Sequence, residues 1–244
     1  MAQCLDQAIR WGLHFRNVAT LSRSPKAVRT EGRTLSPTRA RHFLETLKGD
    51  RNEALFSLML STGLRRGEAL GLVWKDFDRE AGVIRVLRQL KREGGSLVTT
   101  DTKTFRSRRA LNLPEQMMTT LLAHEQRQRG ERERRGARWS DNGFMFTTSR
   151  GSPIDQRNFY REFRRLCDQA ELGHWHPHEL RHSAASLMLA LGVKLHVASQ
   201  VLGHSSIRMT SNVYAHLLEP DRHEAAVAIG APLCESDGDL PGGV

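Results

Sequence analysis

The chain has 244 residues, enough for one sizeable hydrophobic core and a small accessory element. Hydrophobic residues make up 39% and charged residues 26%, which is typical of a globular protein and excludes a disordered or membrane-embedded chain. Lys and Arg number 37 against 27 Asp and Glu, and the net charge of +10 favours a polyanionic partner such as nucleic acid. A merely basic globular protein is the alternative on charge alone.

Cysteine usage and the apolar segments indicate a cytoplasmic protein. Cys4, Cys167 and Cys234 are odd in number and widely spaced, which predicts free thiols and no disulfide framework or zinc knuckle. Charged residues interrupt the apolar N-terminus, so no signal-peptide core is expected. The apolar run 183–193 is too short to cross a bilayer and predicts a buried helix. We therefore expect no membrane partner.

The N-terminal part of the chain is predicted to be helical. Residues 3–16 have helical character and precede a basic connector. A second helix is predicted to begin at residues 36–37, where serine can cap it and proline fits the first turn, and to end at Gly49. Residues 52–61 predict an apolar central helix that Gly63 breaks.

After a short helix that begins at residues 66–70, the periodicity changes to that of strands. Residues 83–87 and 96–100 are rich in β-formers around a Gly94-Gly95 turn, and residues 109–113 alternate polar and apolar side chains. These segments predict a small antiparallel three-stranded β-sheet inside a mainly α fold.

From Pro114 onward the chain is again predicted to be helical, with a charged, solvated stretch at 127–138. The segment 155–170 predicts the clearest amphipathic helix, with its aromatic residues on one face. Its opposite face carries the arginines Arg157, Arg161 and Arg164. Such a face suits a phosphate backbone, and an ordinary solvated helix is the alternative.

Three positively charged or titratable side chains flank predicted helix boundaries. His178 and Arg181 are three residues apart at a helix start marked by Pro177, so both lie on one face, where an imidazole and a guanidinium can bind an anion and move a proton. Arg65 follows the break at Gly63 and could face a cleft. Its alternative is an ion pair with Glu68, which could also orient it.

Further candidates lie in turns and at junctions. Lys103 lies between two predicted strands in a basic turn suited to a nucleic-acid groove, although simple exposed charge is the ordinary interpretation. His204 follows Gly203, a predicted helix end. Tyr214 lies among apolar residues, where a core tyrosine with a satisfied hydroxyl is the usual alternative.

Four segments, in this order, resemble the motif boxes of the tyrosine recombinases, or phage-type integrases. STGLRRGEALGL resembles the first-arginine box, and TKTFRSRRALNLP resembles the lysine hairpin. HPHELRHSAAS resembles the His-x-x-Arg box, and VLGHSSIRMTSNVYAH the second-histidine and tyrosine box. The resemblance covers about residues 30–220.

The resemblance implies cleavage and rejoining of double-stranded DNA through a 3′-phosphotyrosyl intermediate, without metal, ATP or another cofactor. The implied catalytic set is Arg65, Lys103, His178, Arg181, His204 and the nucleophile Tyr214, oriented by Glu68 and His182. The expected DNA contacts are Arg106, Arg108, Arg109, Arg157, Arg161 and Arg164. The resemblance also implies a homotetramer on DNA, with a monomer in solution as the alternative off DNA.

The expected domains are a remnant of an N-terminal core-binding helix with its linker at 1–33, a catalytic domain at 34–220 and a C-terminal tail at 221–244. Because residues 1–33 are expected to hold only a remnant of the family's N-terminal clamp, a DNA-binding remnant without full recombination activity is one alternative. The histidine cluster within residues 174–182 leaves a metal-dependent hydrolase as another, although no cysteine or carboxylate completes a familiar ligand pattern.

Overall fold

A computed structural model describes residues 2–20, 33–101 and 108–203. The chain divides into two units, residues 1–31 and 32–244. In the first unit, helix α1 (Ala2–Arg10) precedes a 3-10 turn at Val18–Thr20. The helix is shorter than the predicted 3–16 because Gly12 turns the chain with a φ of +72°. The assignment of this unit to a core-binding remnant stays a prediction.

Seven α-helices of the second unit lie within the described residues: α2 (Pro37–Leu47), α3 (Glu53–Thr62), α4 (Arg66–Leu70), α5 (Glu115–Arg135), α6 (Gln156–Gln169), α7 (Pro177–Ala190) and α8 (Leu195–Leu202). The start of α2 is confirmed, since the Ser36 hydroxyl accepts the Arg39 backbone N–H at 3.3 Å. Gly63 ends α3 in the left-handed conformation, as the sequence predicts. No helix within the described ranges is long and apolar enough to cross a lipid bilayer.

The strands form a three-stranded antiparallel sheet and a separate hairpin. The sheet has the order β1 (Phe77–Asp78), β2 (Val83–Val86) and β5 (Arg109–Asn112), and the hairpin pairs β3 (Arg88–Glu93) with β4 (Ser96–Asp101). The predicted mainly α fold with a small three-stranded sheet is thus confirmed, but one strand was wrongly assigned to the sheet. Residues 96–101 pair with β3 across Gly94-Gly95, and β1 takes the third place in the sheet. The sequence RQLKRE of β3 has no β-branched residue, so its pairing could not be anticipated.

Helix α3 lies at the centre of the core. Its residues Ala54, Leu55, Phe56, Leu58, Met59, Leu60 and Thr62 are buried. The Phe56 ring lies 5.3 Å from Phe159 and 5.4 Å from Phe163, so the predicted aromatic face of α6 points inward. Helix α7 also packs against α3, which places the start of α7 close to the break that follows α3.

The predicted burial of residues 183–193 is only partly correct. Ser183, Ala184 and Ala185 are buried, but α7 ends at Ala190 and Leu191 is 79% exposed. The reason is that the second half of the run leaves the core at the turn between α7 and α8. The charged stretch 127–138 is helical through Arg135 and ends in a 3-10 turn.

A buried histidine fastens α5 to the following loop. The His124 Nε2–H donates to the Met145 carbonyl at 2.8 Å, and Nδ1 accepts from Arg127 Nη2 at 3.2 Å. Burial lowers the pKa of His124 to about 4, and the charge of Arg127 acts in the same direction. A proton on Nδ1 would face the Arg127 guanidinium, so the folded protein favours the neutral ring.

Acid is therefore expected to destabilise the fold through His124. Between pH 6.5 and 4 the unfolded chain binds a proton that the folded chain does not, so stability falls as the pH falls, by about 3 kcal/mol at pH 4. In His124→Gln, the amide can retain both hydrogen bonds but cannot titrate. Urea unfolding at pH 7 and pH 4.5 should show a smaller acid loss in the variant, and an equal loss in both proteins would contradict this assignment.

Candidate active site

Arg65 precedes α4, and both its guanidinium and its backbone N–H donate to the carboxylate of Glu68. Its Nη1 donates to Glu68 Oε1 at 2.8 Å, and its backbone N–H donates to Glu68 Oε2 at 3.0 Å. The Arg65 side chain is 39% exposed, whereas that of Glu68 is 3% exposed. The sequence left two alternatives for Arg65, an ion pair with Glu68 or a side chain facing a cleft. In the structure Arg65 pairs with Glu68 and is also accessible.

Arg109 reaches the same carboxylate from β5. Its Nη2 donates to Glu68 Oε2 at 2.9 Å, its Nε donates to the Val201 carbonyl at 2.7 Å, and its side chain is 8% exposed. The predicted surface contact with DNA does not fit this placement. Arg109 lies two residues before the buried Leu111, so both side chains point to the inward face of β5. That alternation was visible in the sequence.

The C-terminal end of α8 lies against both arginines. The Gly203 carbonyl accepts from Arg65 Nη2 at 3.5 Å, and the Val201 carbonyl accepts from Arg109. Two cations at a helix C-terminus lie next to the negative end of the helix dipole, which stabilises the helix. The chain continues from Gly203 to His204, which lies outside the described residues.

Helix α7 contributes Arg181 and His178. Arg181 is 4% exposed, and its Nη1 donates at 2.6 Å to the carbonyl of Gly63, two residues before Arg65. His178 is exposed, and its ring centroid lies 4.8 Å from that of His182, which is half-buried. Desolvation lowers the pKa of His178, and the charges of His182, Arg181 and Arg65 lower it further. A neutral imidazole able to accept a proton is thereby favoured.

The structure groups part of the predicted catalytic set. Segments 118 residues apart meet where Arg181 bonds Gly63, and the end of α8 joins them at Arg65. Glu68 and His182 lie in the same region. Four predicted site residues lie outside the described residues: Lys103, Arg106, His204 and Tyr214. The catalytic roles of all these residues stay predictions.

The remaining predicted DNA-contact arginines are on the surface. Arg108 donates to Asp101 at 2.6 Å, an exposed pair that flanks residues 102–107. Arg157, Arg161 and Arg164 are exposed on α6, as predicted, with Arg161 68% and Arg164 74% exposed.

The α6 surface also has a feature that the sequence analysis missed. Tyr160 is 39% exposed, and its ring centroid lies 5.3 Å from Cζ of Arg66, whose Nη2 donates to Gln156. Beside it, a cavity of about 610 Å³ is lined by Arg92, Asp155, Gln156, Arg157 and Tyr160. The signal in the sequence was a tyrosine three residues after Arg157, on the face otherwise formed by arginines.

The histidine cluster forms two separate ring contacts. The His174 and His176 centroids lie 4.9 Å apart, and His178 pairs with His182. Among the residues that the structure describes, no three His, Cys, Asp or Glu side chains group as metal ligands.

The break at Gly63 is tightly packed, which predicts a large stability effect. A Cβ at Gly63 would overlap Leu202 Cδ2 and lie 3.3 Å from Ala184 Cβ, at a φ of +65°. Gly49 has a φ of +77° with nothing within 4 Å, so Gly49→Ala should cost only the left-handed backbone penalty of about 1–2 kcal/mol. Gly63→Ala should lower the free energy of unfolding more, measured by urea denaturation, and equal losses would contradict the packing argument.

Comparison with known proteins finds one matching family and several relatives of known name. The Phage integrase family matches residues 33–220. A tyrosine recombinase XerC-like protein of Caldanaerobacter subterraneus is 34% identical over 210 residues, covering 81% of this chain and 54% of that protein. An integrase of Streptomyces ambofaciens is 30% identical over 243 residues, covering 93% of this chain and 61% of that protein. The chain thus spans little more than half the length of these relatives.

Two solved structures share the fold. The Tn1549 transposon integrase in complex with transposon right end DNA superposes with a TM-score of 0.72 at 23% identity, covering 94% of this chain and 76% of that chain. The XerH site-specific recombinase, in a post-cleavage complex with palindromic difH substrate, superposes with a TM-score of 0.60 at 26% identity, covering 83% of this chain and 55% of that chain.

Proposed function

The chain belongs to the phage integrase family, and on this premise we propose that it cleaves and rejoins double-stranded DNA as the catalytic part of a site-specific recombinase. The observation that carries the proposal is the grouping of Arg65, His178 and Arg181 beside the end of α8. Two guanidinium groups and a neutral imidazole suit a phosphodiester that gains negative charge in its transition state.

Tyr214 is the proposed nucleophile. A tyrosine hydroxyl has a pKa of about 10, so at neutral pH it needs a base or a positive field to become reactive. His178 accepts its proton, because partial desolvation and the neighbouring charges lower the pKa of this imidazole and keep it neutral. The phenolate oxygen then attacks phosphorus, and a 3′-phosphotyrosyl bond forms.

The other groups stabilise the phosphate in the transition state and protonate the leaving group. Arg65 and Arg181 donate to the non-bridging oxygens, and His204 adds a further hydrogen bond. As the bond between phosphorus and the 5′ oxygen breaks, Lys103 supplies the proton that makes a 5′ hydroxyl. One phosphodiester replaces another, so the linkage can be rejoined by the reverse steps without ATP.

Double-stranded DNA is the proposed partner. The Tn1549 integrase structure is a complex with transposon right end DNA, and the XerH structure is bound to a difH substrate. The exposed arginines of α6 supply the positive surface that a phosphate backbone requires. A homotetramer assembled on two DNA sites is the proposed active form.

Arg161→Ala is expected to weaken DNA binding and, above all, to reduce the dependence of that binding on salt concentration. Loss of one phosphate contact should reduce the slope of log Kd against log salt concentration by about one. Arg129→Ala is a matched control on α5, because Arg129 is 69% exposed against 68% for Arg161. Fluorescence anisotropy over a salt series measures both slopes, and an equal change in the two variants would rule out a specific role for Arg161.

The function is tested on DNA that the protein binds. Duplexes are selected with the protein from a pool of randomised sequence, and nicked forms of them serve as substrates. The protein is incubated with the labelled duplex and a chelator, denatured, and analysed for a covalent adduct. We expect an adduct that disappears in Tyr214→Phe while DNA affinity is unchanged. Binding without any adduct would favour a DNA-binding remnant, and strand cleavage that requires added divalent metal would favour a hydrolase. Either result would overturn the proposal.

A further inference from the structure

We infer that Arg109 is a positioning residue of the proposed recombinase site, which fastens the end of α8 to the carboxylate that holds Arg65. The inference rests on the proposed function, because it concerns the assembly of that site. It assigns Arg109 a role inside the protein in place of a contact with DNA.

The guanidinium of Arg109 joins two elements that are distant in the sequence. Its Nε reaches the Val201 carbonyl, 92 residues away, and its Nη2 reaches Glu68, 41 residues away. Both ends of the ion pair are enclosed, with 8% of the Arg109 side chain and 3% of the Glu68 side chain exposed. The planar fork of an arginine can make both bonds at once, which the single ammonium of a lysine does less well.

Packing at Gly203 shows how closely the end of α8 is held. This residue has a φ of +66°, and a Cβ there would lie 2.8 Å from Arg109 Nη1 and 3.1 Å from Cζ. Glycine lets the helix end approach the guanidinium. Gly203 is the last described residue before His204, so the contact holds the end of α8 from which the chain continues.

Glu68 links this contact to the catalytic arginine. Burial alone would raise the pKa of Glu68, but the charges and hydrogen bonds of Arg109 and Arg65 outweigh it and lower the pKa. Among the residues that the structure describes, these two arginines are the charged groups that act on the carboxylate, and β3 packs on α4 through Gln89 and Leu90. Without Arg109, the carboxylate would therefore protonate at a higher pH and release Arg65.

The experiment compares two double variants of the full chain. Arg109→Met with Glu68→Gln removes both charges, so no buried charge is left unpaired. The control is Arg51→Met with Glu131→Gln, because Arg51 likewise donates both to a glutamate and to a backbone carbonyl, that of Thr147, away from the site. The rate of adduct formation on saturating nicked DNA, the affinity and the salt slope are measured for each.

We expect the Arg109 and Glu68 double variant to form adduct about 100-fold more slowly, as for a site displaced by about 1 Å, with DNA affinity and salt slope unchanged. The control should retain the wild-type rate. A salt slope reduced by about one with an unchanged adduct rate would make Arg109 a DNA contact and overturn the inference. An equal loss of rate in the control would also overturn it.

The pH profile of the single variant Arg109→Gln supplies a readout that a purely structural role would not change. When the pH is lowered, its adduct rate should start to fall at a higher pH than that of the wild type, because loss of the Arg109 charge raises the pKa of Glu68. Adding Glu68→Gln should remove this extra dependence, and its persistence would contradict the mechanism. Failure of the wild-type protein to form any adduct would instead overturn the proposed function, and the inference with it.

Discussion

Arg181→Lys is expected to reduce phosphotyrosyl adduct formation by about 100- to 1,000-fold, with a much smaller change in DNA affinity. Lysine keeps the positive charge but loses the planar fork that fits two phosphate oxygens. It also loses the anchor at the Gly63 carbonyl, which lies 2.6 Å from Nη1 and orients the guanidinium. The loss should therefore appear in the cleavage step, measured as the adduct rate on saturating nicked DNA.

Arg127→Lys provides the matched control for Arg181→Lys. Arg127 is partly buried and, like Arg181, donates to backbone carbonyls, those of Asp50 and Arg51, each at 3.2 Å. It lies on α5, outside the site, so its replacement should change the adduct rate little. Equal losses of affinity and cleavage in Arg181→Lys would show that Arg181 acts in binding and would contradict its catalytic role.

Glu68→Ala is expected to lower the free energy of unfolding by about 3–5 kcal/mol, because a charge that is buried with its partner would be left alone. Arg109 keeps only 8% of its side chain exposed, and it would lose the carboxylate that neutralises it. Adding Arg109→Met should restore much of the stability, since the unpaired charge is then removed. Urea denaturation of the single and double variants at pH 7 measures both effects.

An exposed ion pair provides the control for the stability loss expected in Glu68→Ala. Glu45 pairs with Lys48 at 2.6 Å, but the two side chains are 64% and 62% exposed. Glu45→Ala should change stability by less than about 1 kcal/mol. If Glu68→Ala were no more destabilising than Glu45→Ala, the carboxylate would not be the buried centre of the site.

The sequence predicted the helices well because their ends depend on local chemistry. Ser36 and Pro37 start α2, and the left-handed glycine Gly63 ends α3. The aromatic residues of α6 face the core because their spacing matches the helical repeat. Each of these features is determined by residues within one or two turns of the chain.

Strand pairing was harder to predict, because it depends on residues that are distant along the chain. The short strand β1 has only two residues and pairs with β2, and β3 is mostly polar. Neither has a strong strand pattern, so the sequence could predict a small antiparallel sheet without predicting which strands form it. The hairpin at Gly94-Gly95 was visible as a turn, but its first strand was not.

The catalytic candidates were predicted from the order of the motifs, whereas most of their hydrogen-bond partners could be identified only from the structure. The pairing of Arg65 with Glu68 could be considered from a spacing of three residues. The bonds from Arg109 to Glu68 and Val201 could not, because they join β5 to α4 and α8. An arginine that follows a basic turn resembles a DNA contact unless the alternation of side chains along its strand is considered.

We propose that Tyr214 forms a covalent bond to the 3′ end of cleaved DNA. The adduct from nicked duplex can be digested with nuclease and protease and the modified peptide identified by mass spectrometry. Since the chain contains two tyrosines, Tyr160 and Tyr214, the assignment is unambiguous. We expect a 3′-linked nucleotide on the peptide that contains Tyr214. A nucleotide on Tyr160 or on any other residue, or a linkage to the 5′ end, would contradict it.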